Sequence, residues 1–117
     1  MQTLDPIVRG DYEEIEFVAE GPDGSALNLT GKVIRFTAKR ELTAPTIVVT
    51  KHSETAGNIE ITNAAAGEGK VILTGDEAGI LNLQEDTTLA CDIEVTDAQG
   101  RSATTRFMLP VEVDLST

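Results

Sequence analysis

The sequence has no tryptophan, one cysteine and one histidine among its 117 residues. Aromatic residues make up only 3% of the chain, so a core must be built mostly from Val, Ile, Leu and Ala. A single cysteine, Cys91, cannot form an intrachain disulfide and excludes a four-cysteine zinc site. The single histidine, His52, has no second His or Cys close to it in sequence, which argues against a transition-metal site.

Basic residues are also scarce, with 9 Lys and Arg against 20 Asp and Glu and a net charge of −11. Such a negative field repels phosphates, so neither nucleic acid nor an anionic membrane is an expected partner. A solvated acidic surface and a basic protein partner both remain compatible with it. No apolar run is long enough to span a membrane, and no signal peptide is recognisable, so we expect synthesis in the cytoplasm.

The length and composition indicate one folded domain. A chain of 117 residues with 40% hydrophobic and 25% charged residues is an ordinary globular sequence. Residues 1–10 contain Pro6 and Gly10 and are predicted to form an N-terminal arm or an edge strand. Residues 11–115 are predicted to form a single β-sandwich domain.

Alternation of apolar and polar side chains with a period of two predicts most of the strands. Along the first such segment, Ile15, Phe17 and Ala19 alternate with Glu14, Glu16 and Glu20, although Val18 interrupts the polar side. The same alternation places Ile34, Phe36 and Ala38 on one face, then Leu89, Cys91, Ile93 and Val95, then Ala103, Thr105, Phe107 and Leu109. Pro110 is expected to interrupt the last of these strands, with Val111 and Val113 forming a short edge strand after it.

Turn and helix signals separate these strands. Gly21–Gly24 and Asp97–Gly100 have the composition of tight turns. The spacing Thr74-x-x-Glu77 is that of a capping box and predicts one short helix around residues 75–83. Loops are predicted at His52–Gly57 and at the small-residue run Ala64–Gly69. The pattern as a whole predicts seven to nine short strands in an all-β, two-sheet antiparallel β-sandwich.

No catalytic, cofactor-binding or metal-binding residues are predicted. Cys91 falls on the apolar side of its strand and is expected to be a small buried hydrophobe. No serine lies in a nucleophile elbow, and no acidic 1-3-5 loop signals calcium, although an ion at a turn is left open. Glu14 and Glu16 share one strand face; a solvated face explains them better than a catalytic pair. They are the only candidate partner contacts.

Several of these signals occur in an order that resembles one known family. They are Gly10-Asp11, Leu29-Thr30-Gly31, Phe36, Asp92-Ile93-Glu94-Val95 and the turn Asp97–Gly100. In this order they resemble the immunoglobulin-like domain of bacteriophage structural proteins, such as the N-terminal domain of the baseplate upper protein family. The resemblance covers residues 9–115. It departs at Cys91, where the family often has an aromatic residue.

The resemblance implies that the predicted sandwich is immunoglobulin-like. It also implies a non-enzymatic structural protein of a phage or prophage virion, in the tail, baseplate, connector or capsid. Such domains work by docking to other virion proteins and often assemble in rings, so a homo-oligomer is left open. The expected location is the virion, assembled in the bacterial cytoplasm. The alternative is a β-sandwich module that binds carbohydrate or a host surface, which the shortage of exposed aromatic residues disfavours.

Overall fold

The computed structural model describes residues 2–21, 23–41, 43, 46–54, 58–74 and 77–113. In that part of the chain, nine strands and two short helical segments follow one another. The strands are β1 (Gln2–Thr3), β2 (Ile7–Val8), β3 (Glu13–Val18), β4 (Val33–Lys39), β5 (Ile47–His52), β6 (Ile59–Asn63), β7 (Glu68–Leu73), β8 (Thr87–Thr96) and β9 (Ser102–Glu112). The helical segments are a 3-10 helix, Ala64–Ala66, and the α-helix α1, Ala78–Leu81.

The strands form two sheets. The larger sheet has the order β1-β9-β8-β4-β5, with β2 also paired to β9, and the smaller sheet has the order β3-β7-β6. These orders match the immunoglobulin sandwich, in which β4, β8 and β9 take the places of strands C, F and G, and β3, β7 and β6 those of B, E and D. The prediction of an all-β immunoglobulin-like sandwich is therefore confirmed.

The core lies between the sheets and consists of the inward residues of the alternating segments. Phe36 of β4 and Phe107 of β9 stack with ring centroids 6.1 Å apart. Around them, the side chains with under 2% exposure include Leu29, Ile34, Leu73, Leu83, Leu89, Ile93, Leu109 and Val111. Leu, Ile and Val thus supply most of the core volume, as the shortage of aromatic residues requires.

The N-terminal segment departs from a purely antiparallel arrangement, because both β1 and β2 run parallel to β9. The prediction that Pro110 interrupts the last strand is wrong, since β9 is continuous through it. The N–H groups of Leu4 and Arg9 donate to the carbonyls of Met108 and Glu112, so alternate residues of β9 face the N-terminal segment. Pro110 is two residues from both Met108 and Glu112, so its backbone nitrogen also points toward the N-terminal segment. It lies opposite the break between β1 and β2, where no ladder hydrogen bond is made, so the missing N–H of proline costs nothing.

The short helix was predicted correctly from its capping box. The backbone N–H of Thr74 donates to the Glu77 carboxylate at 2.9 Å, which is one half of that motif. The helix α1 falls within the predicted span, although residues 75 and 76 lie outside the described residues. It packs closely on β5: a Cβ on Gly79 would lie 1.8 Å from the Val48 carbonyl oxygen.

Two predicted loops are partly ordered into regular elements. The run Ala64–Gly69 was predicted as a loop, but it holds the 3-10 helix and the start of β7. The Asn63 side chain caps that helix by accepting from the Ala66 N–H, and Gly67 ends it with a φ of 72°. The predicted loop at His52 begins later, since His52 is the last residue of β5. Residues 55–57 of that loop lie outside the described residues.

Candidate functional site

The outer face of the smaller sheet carries the two candidate contact residues. In β3, Ile15 and Phe17 are buried against the core, and Glu14 and Glu16 are exposed on the opposite side. The pairing register places Glu60 of β6 and Glu68 of β7 on the same outer side, opposite Lys70 and Val18. We call this surface the acidic face; its carboxylates are those of Glu14, Glu16, Glu20, Glu60 and Glu68, all exposed.

Lys70 lies in the middle of the acidic face and holds two of its carboxylates. Its ammonium is 3.0 Å from the Glu14 carboxylate and 3.6 Å from that of Glu60. The hydrogen bond from Lys70 is the main cause that lowers the pKa of Glu14, and a second hydrogen bond, from the Tyr12 hydroxyl at 3.1 Å, lowers it further. Glu14 therefore stays ionised in mild acid.

The outer face of the larger sheet has a different charge pattern. Arg35 of β4 forms an ion pair with Glu94 of β8 at 2.9 Å. Arg106 of β9 pairs in register with Asp92 of β8. Burial raises the pKa of Asp92, followed by repulsion from Glu94. Positive and negative groups thus alternate here, whereas the acidic face carries five glutamates around the single cation of Lys70.

One edge of the smaller sheet is open. The N–H of Ala19 donates to the Gly67 carbonyl at 2.8 Å, which places the odd-numbered residues of β3 against β7. Because backbone direction alternates in an antiparallel pair, the N–H and C=O groups of Glu14, Glu16 and Val18 point away from β7. In the described part of the chain β3 is one of the two end strands of its sheet, β6 being the other, so these groups lie at an edge.

A groove of about 680 Å³ runs beside this edge. Its apolar wall includes Leu4, Phe17 and Phe107, and the N–H of Glu20 donates to the Thr105 hydroxyl at 3.2 Å within it. The charged residues of its lining are Glu16, Glu20, Glu68 and Arg106. The groove therefore combines an apolar wall, an unpaired strand edge and an excess of negative charge.

The residues that could have carried chemistry lie apart from this groove. Cys91 is 1% exposed, and burial raises the pKa of its thiol to about 12, so the expectation of a buried hydrophobe is confirmed. His52 lies half-buried at the end of β5, in register with Arg35. Among the residues that the structure describes, no three His, Cys, Asp or Glu side chains are grouped to hold a metal ion. No helix in that part is long and apolar enough to cross a bilayer.

Sequence reasoning found Glu14 and Glu16 but missed Lys70, Tyr12 and the groove. The alternation in β3 was enough to place the two glutamates on one outer face. Lys70 reaches that face only through the pairing of β3 with β7, a register that no local signal reports. The resemblance to phage proteins gave no site residue to transfer.

Comparisons with known proteins identify no family. No family model and no curated protein matches the chain. Six solved chains match, among them one titled as a structure of murine CRIg. It is 10% identical to this chain, with a TM-score of 0.44 over 94% of this chain and 91% of that one. A similarity at this level carries no argument about function, and the assignment of the fold rests on the strand order.

Proposed function

We propose that the protein is a non-enzymatic structural protein of a bacteriophage or prophage particle, acting through protein–protein contacts. The particle is assembled in the bacterial cytoplasm, and the partners are other virion proteins. The ordered motifs that resemble the phage immunoglobulin-like domain support this proposal.

The acidic face is the observation that carries the proposal. Glu14, Glu16, Glu60 and Glu68 lie on hydrogen-bonded strands, so the sheet fixes the spacing of their backbone positions. Lys70 neutralises only part of the charge, and Glu16 and Glu68 remain exposed. A surface with an excess of negative charge fits a basic surface on a neighbouring protein, and complementary charges of this kind favour specific docking more than tight binding.

Incorporation into particles tests the proposal directly. Particles purified from the source bacterium are expected to contain the protein at a fixed ratio to other virion proteins, measured by mass spectrometry. The double substitution Glu14→Lys and Glu16→Lys is expected to reduce incorporation. A matched control, Glu41→Lys with Glu85→Lys, changes the net charge equally at exposed positions away from the face. Particles that lack the native protein would contradict the proposal, and equal incorporation of both variants would remove the acidic face from it.

The oligomeric state refines the proposal. A closed ring measured by light scattering after size-exclusion chromatography is expected of a tail or connector part. A monomer is expected of a protein that adopts its place only on the particle. Either result indicates in which part of the virion the partner should be sought.

Binding of carbohydrate is the second candidate, and one residue favours it. Tyr12 is 60% exposed beside the acidic face, whereas Phe17, Phe36 and Phe107 are buried. Sugar sites favour exposed aromatic rings, and Tyr12 is the ring that this surface offers. A glycan array would support this function if it gave a hit that Tyr12→Ala abolishes; an array without hits would exclude it.

A further inference from the structure

We propose that the open edge of β3 accepts an extended segment of a partner protein in which apolar and basic residues alternate. The segment would add as a fourth strand to the smaller sheet and fill the groove beside it. This inference rests on the proposed function only for its source, another protein of the same particle. The docking itself follows from the geometry of the edge and the groove.

The backbone of β3 is arranged to receive a strand. Glu14, Glu16 and Val18 each direct one N–H and one C=O away from β7, so the edge offers six groups. Exposed edges of this kind are completed by strand addition in many complexes, where ladder hydrogen bonds supply affinity and alternate side chains supply specificity. At the end of the edge, the Glu20 N–H already has a partner in Thr105, which limits the length of the incoming strand.

The groove is the position that strand A occupies in an immunoglobulin sandwich. There the sheet order is A-B-E-D, and β3, β7 and β6 correspond to B, E and D. In this chain the N-terminal strands β1 and β2 pair with β9 of the larger sheet instead. The place beside β3 is therefore left without a strand in the described part of the chain, and the groove is the resulting space.

The lining selects the composition of the occupant. A strand at this edge would direct every second side chain inward, onto Leu4, Phe17 and Phe107. Its other side chains would lie on the outer side, next to the carboxylates of Glu14 and Glu16. Apolar residues suit the inner positions. Lys or Arg suits the outer ones, because the groove lining has three glutamates, Glu16, Glu20 and Glu68, against one cation, Arg106. A second copy of β3 would instead bring Glu against Glu, which is unfavourable across paired strands.

The test uses the full chain and a fluorescent synthetic peptide of about ten residues in which Val and Lys alternate. Fluorescence anisotropy is expected to show binding that weakens with salt, and no binding of a matched peptide in which Val and Glu alternate. Methylating every second backbone nitrogen of the Val-Lys peptide, on the side that faces β3, is expected to weaken binding at least about tenfold, because it removes ladder donors. Hydrogen exchange at Glu14, Glu16 and Val18 is expected to slow when the unmethylated peptide binds.

Two variants separate the backbone from the charge. Glu16→Pro removes an N–H that faces the open edge and leaves the ladder to β7 intact, so it is expected to weaken binding about tenfold. Glu16→Gln keeps that N–H and is expected to lose only part of the affinity. Equal binding of the methylated and unmethylated peptides would overturn the proposal, and this arm does not depend on the variant folding.

Other occupants give distinct results. If the three edge amides are already protected in the free protein, a segment of this chain covers the edge and the proposal is wrong. If the native protein is a dimer that Glu16→Pro dissociates, a second copy takes the edge, which also overturns it. Peptide binding by a protein that is absent from particles would overturn the proposed function alone. Incorporation into particles without peptide binding would overturn this inference alone.

Discussion

The two sheets share one core but differ at their edges and outer faces. One edge of the larger sheet is formed by β1 and β2, and at the other edge α1 packs against β5. The smaller sheet ends at β3 with unpaired backbone groups and presents the acidic face. Charged side chains on an edge strand discourage unwanted pairing, which fits the glutamates of β3. From this difference we expect the larger sheet to contribute more to stability and the smaller sheet to contribute more of the surface used for contacts.

The largest effect is expected in the core under the larger sheet. Phe36 is 1% exposed and stacks on Phe107, so Phe36→Ala is expected to lower the free energy of unfolding by about 3–5 kcal/mol. Phe17 lines the groove, where the removed volume joins existing space, and Phe17→Ala is expected to cost less. Urea unfolding of both variants measures the difference. Equal losses would mean that the smaller sheet contributes as much to stability as the larger one.

A comparison of two glycines, Gly67 and Gly31, tests how tightly the chain packs at the start of β7. Gly67 has a φ of 72°, and a Cβ there would lie 2.7 Å from the Leu27 carbonyl oxygen. Gly67→Ala is expected to cost about 2–4 kcal/mol, from backbone strain together with this clash. Gly31, before β4, has a φ of 71° with nothing near its missing Cβ, so Gly31→Ala is expected to cost only about 1–2 kcal/mol. Thermal unfolding of the two proteins isolates the clash, and similar losses would show that the chain relaxes around it.

The smallest of the three effects concerns the edge of the larger sheet at β5, against which α1 packs. Lys51 of β5 and Glu77, before α1, form an ion pair at 2.9 Å with only 12% and 10% of their side chains exposed. Lys51→Met is expected to cost about 2 kcal/mol near neutral pH, because it removes a short ion pair between two mostly buried side chains. Arg35→Met breaks a solvent-exposed pair of equal length and is expected to cost about 0.5 kcal/mol.

The same ion pair predicts a pH dependence. Burial raises the pKa of Glu77, but hydrogen bonds from Lys51 and the Thr74 N–H outweigh it and hold the pKa below its usual value of 4.5. The ionised carboxylate therefore contributes stability above pH 4.5, and this contribution is lost as the pH falls through the lower folded pKa. Acid unfolding curves are expected to be less steep in Lys51→Met. An unchanged pH dependence would show that Lys51 does not control the titration of Glu77.

Local patterns predicted the elements, and distant pairing decided the details. Alternation identified β3, β4, β8 and β9, and the capping box identified α1, because each signal lies within a few consecutive residues. The continuity of β9 through Pro110 could not be predicted, since it depends on the N-terminal segment lying beside it. The candidate site divides in the same way: the exposure of Glu16 follows from its own strand, whereas its relation to Lys70 needs the register of another.

Chemical labelling of Cys91 can report when the two sheets separate. Its side chain belongs to the core, and its thiol has a pKa of about 12, so a thiol reagent acts on it only after the core opens. Fraying at the open edge of β3 is expected to leave Cys91 shielded, because Cys91 lies on β8 of the other sheet. Because the chain has no other thiol, each labelled molecule records one such opening. The rate of labelling therefore measures how often the sandwich opens, whereas hydrogen exchange at β3 measures how often the edge strand frays.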